Sequence, residues 1–170
     1  MSPFDSLYNQ HYNRLRRLAV RMVGNEENAD DIVQDTFLVL YEALDKGTTI
    51  EYPGTWLYKV TYNKSLDCLH RKKRLLPLET VNRSTIESRE ASSEEDTTNL
   101  EKKEQEALIN AILASMKPRE RALLVLYSEQ CSYKEMAETT GLRFASVGKT
   151  LSRALDALEK QLKQHGYEAY

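Results

Sequence analysis

Between Trp56 and Arg74 the chain interleaves aromatic rings with cations. Lys59, Lys64, Arg71, Lys72, Lys73 and Arg74 oppose only Asp67, a local balance of +5; Trp56, Tyr58 and Tyr62 lie among them, and His70 adjoins. Cations hold phosphates and rings stack on exposed bases, so this composition suits single-stranded nucleic acid. The plainer alternative is an amphipathic helix whose cationic stems snorkel while its rings fill a core, and for Trp56 taken alone that alternative is the stronger. Nothing comparable points to catalysis. His11, His70 and His165 are scattered and no glycine-rich phosphate loop is present. The adjacent carboxylates Asp30 and Asp31 would point about 100° apart on a helix, which does not make a general acid–base pair. No enzyme activity, metal or cofactor is therefore expected. Cys68 and Cys131 lack C-x-x-C spacing and read as ordinary thiols inside helices.

A second constellation lies near the C-terminus. Ser132 can cap a short helix over 133–140, and Glu135 three residues on completes a capping-box pattern. Gly141 suits the left-handed conformation that ends a helix in a tight turn. A longer helix then runs from about Ala145 to Lys163, with Met136, Leu142, Val147 and Leu151 where two crossing helices need apolar contacts. The spacing fits a helix-turn-helix whose second helix enters the major groove of DNA. Arg143, Ser146, Lys149, Thr150 and Arg153 would face bases or phosphates.

The elements that position these residues are helical. Phe4, Leu7, Tyr8, Leu15, Leu18, Ala19 and Met22 recur at spacings near three and four, predicting a helix over 3–23. Gly24 ends it and Asn25 caps the next, whose stripe of Val33, Phe37, Leu40, Tyr41 and Leu44 spans 29–44. Lys46 to Gly54 reads as a loop, with Thr55 a cap for a helix from Trp56 to about Arg74. Residues 77–100, rich in Ser, Thr, Glu and Asp, read as an acidic flexible linker that cannot form a core. The helical signal resumes at Leu100, breaks near Met116, and restarts with Pro118 in a first turn. The net charge of −2 hides an uneven distribution: +1 over residues 1–76, −5 over 77–107 and +2 over 108–170. No apolar run approaches membrane-span length and the N-terminus lacks signal-peptide character, so a cytoplasmic protein is the expectation.

Both halves together resemble one family, the extracytoplasmic-function group of sigma-70-type factors, which carry only sigma regions 2 and 4. In the N-terminal half the similar stretches are residues 29–37 (ADDIVQDTF) and 55–60 (TWLYKV), continuing through Asn63 and Asp67 to 70–74 (HRKKR). In the C-terminal half they are 132–138 (SYKEMAE) and 151–154 (LSRA). The resemblance implies an all-α protein with a sigma region 2 bundle over 1–76, the acidic linker over 77–100, and a sigma region 4 helix-turn-helix over 101–170. It implies that Asp31, Gln34, Asp35 and Phe37 dock on the β′ clamp helices of core RNA polymerase, region 4 engaging the β flap. The loop 46–54 would capture a flipped base of the −10 element. Trp56, Lys59, Tyr62, Asn63, Arg71, Lys72, Lys73 and Arg74 would read that element, and the C-terminal helix the −35 element. An anti-sigma partner is left open, and the linker would let the two DNA-reading domains be masked or released separately.

Some positions depart from the family pattern. Tyr62 and Lys64 replace residues commonly basic and apolar, Gly148 stands where lysine is frequent, and Leu155 and Asp156 replace often-basic residues. Gly148 should weaken its helix by about 1 kcal/mol relative to alanine, predicting a modest intrinsic −35 affinity raised by tethering to polymerase. Two other classes remain open on sequence. A conventional helix-turn-helix regulator would bind duplex DNA without polymerase, and a helical adaptor would bind protein but no DNA.

Overall fold

The computed structural model describes residues 1–75 and 97–166, and among these the regular elements are seven helices. They are α1 (Pro3–Val23), α2 (Glu26–Asp45), α3 (Pro53–Leu75), α4 (Thr97–Ala114), α5 (Pro118–Ser128), α6 (Tyr133–Thr140) and α7 (Phe144–Gln164). The linker read over 77–100 lies largely outside the described residues, and its last positions already belong to α4.

Local chemistry sets most of the boundaries. The Asp5 backbone N–H donates to Ser2 Oγ at 3.1 Å, Pro3 opens α1, and Gly24 ends it in the left-handed region with its N–H on the Val20 carbonyl. Asn25 Oδ1 accepts from the Asn28 N–H at 2.9 Å, so α2 starts at Glu26, three residues before its apolar stripe. Thr55 does not cap α3. The helix starts at Pro53, whose fixed φ suits a first helical position, and the Trp56 N–H already donates to the Tyr52 carbonyl at 3.0 Å. Cys131 sits in the turn between α5 and α6, not inside a helix, and burial above all pushes its thiol up to about 11.

Helices α1, α2 and α3 pack against one another around Leu15, Leu18, Met22, Leu40 and Leu57, none of them exposed. Gly54 lets the start of α3 press on the buried His11 ring; a Cβ there would meet His11 Cε1 at 3.2 Å. In the C-terminal unit, α5, α6 and α7 close over Leu123, Leu126, Met136 and Val147. The two units are not independent bodies. Helix α5 packs on α1, α6 packs on α3, and the buried side chains of both units join in one apolar cluster.

Arg121 sits at this junction, buried immediately ahead of the apolar run of α5. Its Nε and Nη2 donate to the carbonyls of Met116 and Ala114 at 3.1 Å each, and its Nη1 donates to the Met22 carbonyl at 2.6 Å. Each of those carbonyls lies at or just past a helix C-terminus, where intrahelical partners run out and the dipole is negative. One guanidinium therefore closes the ends of α1 and α4 together.

Candidate nucleic-acid interface

The residues expected to touch DNA fall on two separate surfaces. On α3, Lys59 and Asn63 are exposed one turn apart, followed by exposed Arg71, Lys73 and Arg74, with Lys72 half-buried. Lys72, Lys73 and Arg74 lie in the last turn of α3, where the helix dipole favours cations irrespective of any ligand. Trp56 is half-buried and packed against the core, as the core alternative for it required. Tyr62 is only 4% exposed and lies beside Arg119 of α5, off the open face of the helix. Burial raises its phenol pKa, with Arg119 opposing that shift. The preceding loop is open to solvent, and Tyr52, 62% exposed, stands just ahead of α3. Sequence reasoning did not single out Tyr52, although an aromatic in a glycine-flanked loop before a basic helix was a readable signal.

The helix-turn-helix forms as its spacing predicted. Ser132 Oγ accepts from the Glu135 N–H at 3.1 Å while Glu135 Oε2 accepts from the Ser132 N–H at 2.9 Å, completing the capping box. Gly141 takes φ 78°, and its N–H donates to the Ala137 carbonyl, which turns the chain into α7. Val147, Leu151 and Ala154 face inward, leaving Arg143, Lys149 and Arg153 exposed and Ser146 and Thr150 half-buried between them. The Thr150 hydroxyl donates to the Ser146 carbonyl at 2.8 Å, so its hydrogen is engaged with the helix backbone. Phe144, 63% exposed in the first turn of α7, was not singled out from sequence, where the helix was expected to start only at about Ala145.

Gly148 faces the Tyr133 ring, whose Cε2 lies 3.4 Å from where a Cβ would stand. That is ordinary contact, so the alanine side chain fits. Gly148→Ala is expected to stabilise the protein by about 1 kcal/mol, raising Tm by roughly 2–4 °C in a chain of this size. Thermal melting followed by circular dichroism checks this; a lower Tm would mean that Tyr133 cannot yield.

A third surface lies on α1 and α2, where Asp31, Gln34 and Asp35 are exposed along one rim of a groove. Its floor is aromatic. Phe37 is 4% exposed, with Tyr8 at a ring-centroid distance of 4.6 Å and Phe4 edge-on at 6.2 Å. The Phe37 ring therefore supports the groove from within, and the exposed apolar surface comes from Leu38 and Tyr41, each 56% exposed. Phe4, Tyr8 and Tyr12 repeat every fourth residue on α1, a pattern that could have marked them as one aromatic face. Asp30 is taken up by Arg16, whose Nε donates to Oδ1 at 2.9 Å, tying α1 to α2 beside the groove.

Two family models match the chain, one over each unit. The sigma-70 region 2 family model matches residues 7–75, and the sigma-70 region 4 model matches residues 106–158. The ECF RNA polymerase sigma factor SigE of Mycolicibacterium smegmatis is 31% identical over 99% of the chain, which spans 65% of that relative's length. The ECF RNA polymerase sigma factor SigW of Bacillus subtilis is 26% identical, over 94% of this chain and 89% of the relative. Among solved structures, the sigma factor RpoE of Bartonella quintana, in complex with the anti-sigma factor NepR, superposes with a TM-score of 0.70. That likeness covers 96% of this chain and 98% of the other at 18% identity, a likeness of fold. With both conserved regions matched in order across most of its length, the chain belongs to the extracytoplasmic-function group of the sigma-70 family.

Proposed function

We propose that the chain is an alternative sigma factor that binds core RNA polymerase and directs promoter recognition, DNA melting and transcription initiation. One observation carries this reading: a single chain presents an acid-rimmed aromatic groove, a basic helix behind an open loop, and a capped helix-turn-helix. The chain supplies recognition, the polymerase supplies the chemistry, and the setting is the cytoplasm. Asp31, Gln34 and Asp35 meet a basic helical surface of polymerase, charge guiding the encounter while Leu38 and Tyr41 bury area over Phe37. Lys59, Asn63 and residues 71–74 hold the melted −10 strand, and Tyr52 is placed to stack on a captured base. Arg143, Ser146, Lys149, Thr150 and Arg153 read the −35 duplex. Phe144 adds an apolar contact of the kind that meets a thymine methyl group. An anti-sigma partner, present with the Bartonella relative, is proposed for this chain as well.

Run-off transcription with sigma-free core polymerase and a library of promoter fragments from the source genome tests the proposal. Discrete transcripts are expected from the wild type. Asp35→Arg is expected to weaken core binding by at least about tenfold, because a like charge placed against a basic surface disfavours the complex by several kcal/mol. No transcripts, with duplex DNA still bound in the absence of polymerase, would replace this reading with a conventional regulator.

A further inference from the structure

Helix α7 turns two neighbouring rows of side chains outward, each with i, i+4 spacing. One row is Ala145, Lys149 and Arg153, all exposed. The other is Phe144, Gly148 and Ser152, which carries no charge; Phe144 and Ser152 are exposed and Gly148 is half-buried. Glycine disfavours a helix interior, so local preference does not explain its presence in this row.

A ring from the preceding helix occupies the place that a side chain at 148 would take. Beyond the backbone of α7 itself, the three heavy atoms nearest to where a Gly148 Cβ would stand all belong to Tyr133. Cε2 lies at 3.4 Å, and Cζ and Oη lie at 4.0 Å each. Tyr133 opens α6 and is 45% exposed, so one edge of the ring rests on α7 while the rest faces solvent. The capping box of Ser132 and Glu135 fixes the backbone that carries it. Alanine at 148 would fit beneath the ring, whereas a longer side chain would compete with it for the same space.

The exchange changes what this flank of the helix can recognise. In the major groove, lysine or arginine pairs with guanine O6 and N7, whereas an apolar group meets the 5-methyl group of thymine. The N-terminal residues of a recognition helix reach the base edges, and the first helix of the pair crosses the DNA backbone beside them. Gly148 lies in that part of α7, so the ring is carried to where a lysine at 148 would act. Resting on the sigma-factor reading, we infer that Tyr133, seated over Gly148, is a specificity-determining residue for the −35 duplex. Its ring joins Phe144 in an uncharged flank that selects thymine by its 5-methyl group. Lys149 and Arg153, one row away, hold the same duplex by charge.

The test uses holoenzyme assembled from the full chain and core polymerase. Promoter fragments with a randomised −35 segment are selected for binding. Each thymine of the selected segment is then replaced by uracil, which lacks only the 5-methyl group. At one or more of these positions the wild type is expected to lose about fourfold in affinity, the effect of burying one methyl group. Tyr133→Ala is expected to bind the thymine and uracil duplexes equally at one of them, while Tyr133→Phe and Gly148→Ala keep the difference. Gly148→Lys is expected to shift the selected base there from thymine to guanine. Circular dichroism of each variant separates a lost contact from unfolding. A wild type indifferent to uracil at every thymine, or a selected segment without thymine, overturns the inference and needs no variant. So does a folded Tyr133→Ala protein that keeps every uracil penalty, or a Gly148→Lys protein that still selects thymine. Failure to enrich any −35 segment would instead count against the sigma-factor reading itself, which keeps the two failures distinguishable.

Discussion

Replacing Arg71, Lys72, Lys73 and Arg74 together by glutamine is expected to abolish most promoter opening at physiological salt while leaving core binding intact. Three of the four side chains are exposed and the fourth is half-buried, all at the C-terminal end of α3 and away from the α1–α2 groove. Their loss removes favourable dipole interactions of a few tenths of a kcal/mol each, too little to unfold the bundle. The effect on nucleic acid is larger. Each phosphate contact on a single strand contributes about −0.7 to the slope of log affinity against log salt, so losing four flattens it by about 3. Contacts of that number account for about a 50-fold change in affinity between 50 and 200 mM salt. Fluorescence anisotropy of the polymerase-bound factor on a fork-junction promoter, measured across a salt series, checks this. An unchanged slope would show that the cations are only a solvated helix end.

Arg121→Met is expected to lower stability by about 3 kcal/mol, because three carbonyls lose a charged donor inside the protein. For a chain of this size that corresponds to a fall in Tm of about 10 °C by calorimetry. Methionine keeps most of the aliphatic bulk, so the loss reports the guanidinium and not a cavity. Arg121→Lys should fall between the two, since one ammonium cannot serve three carbonyls around a planar fork. A methionine variant melting within about 2 °C of the wild type would mean that water replaces the guanidinium at no cost.

How much of this was legible in the sequence follows from the range of the interactions. The caps at Ser2, Asn25, Ser132 and Gly141 involve partners three or four residues away, so helix ends and the turn of the helix-turn-helix could be read directly. The start of α3 could not, because Thr55 and Pro53 are both good helix openers and only the Tyr52 carbonyl decides between them. The exposed cations of α3 and α7 were legible from composition. Their buried neighbour Tyr62 was not, since what covers it comes from α5. Phe37 was expected among the docking residues; it lies on the floor of the groove, and the exposed apolar surface falls one and four residues on, at Leu38 and Tyr41. Least legible was the junction. Arg17 and Glu129 are 112 positions apart, and nothing in either segment alone marks them as a pair. Arg121 did carry a signal, a charge set against the apolar run from Ala122 to Leu126.

The bond from Arg121 to the Met22 carbonyl also orders events in time. Ninety-nine positions separate donor from acceptor. At a synthesis rate of roughly 5–20 residues per second, α1 waits about 5–20 s on the ribosome before the guanidinium that closes its end has been made. During that interval the three N-terminal helices can assemble with Tyr58 and Tyr62 still uncovered. A nascent chain thus presents these two rings to the cell before the segment that hides them exists, and translation speed sets how long that exposure lasts.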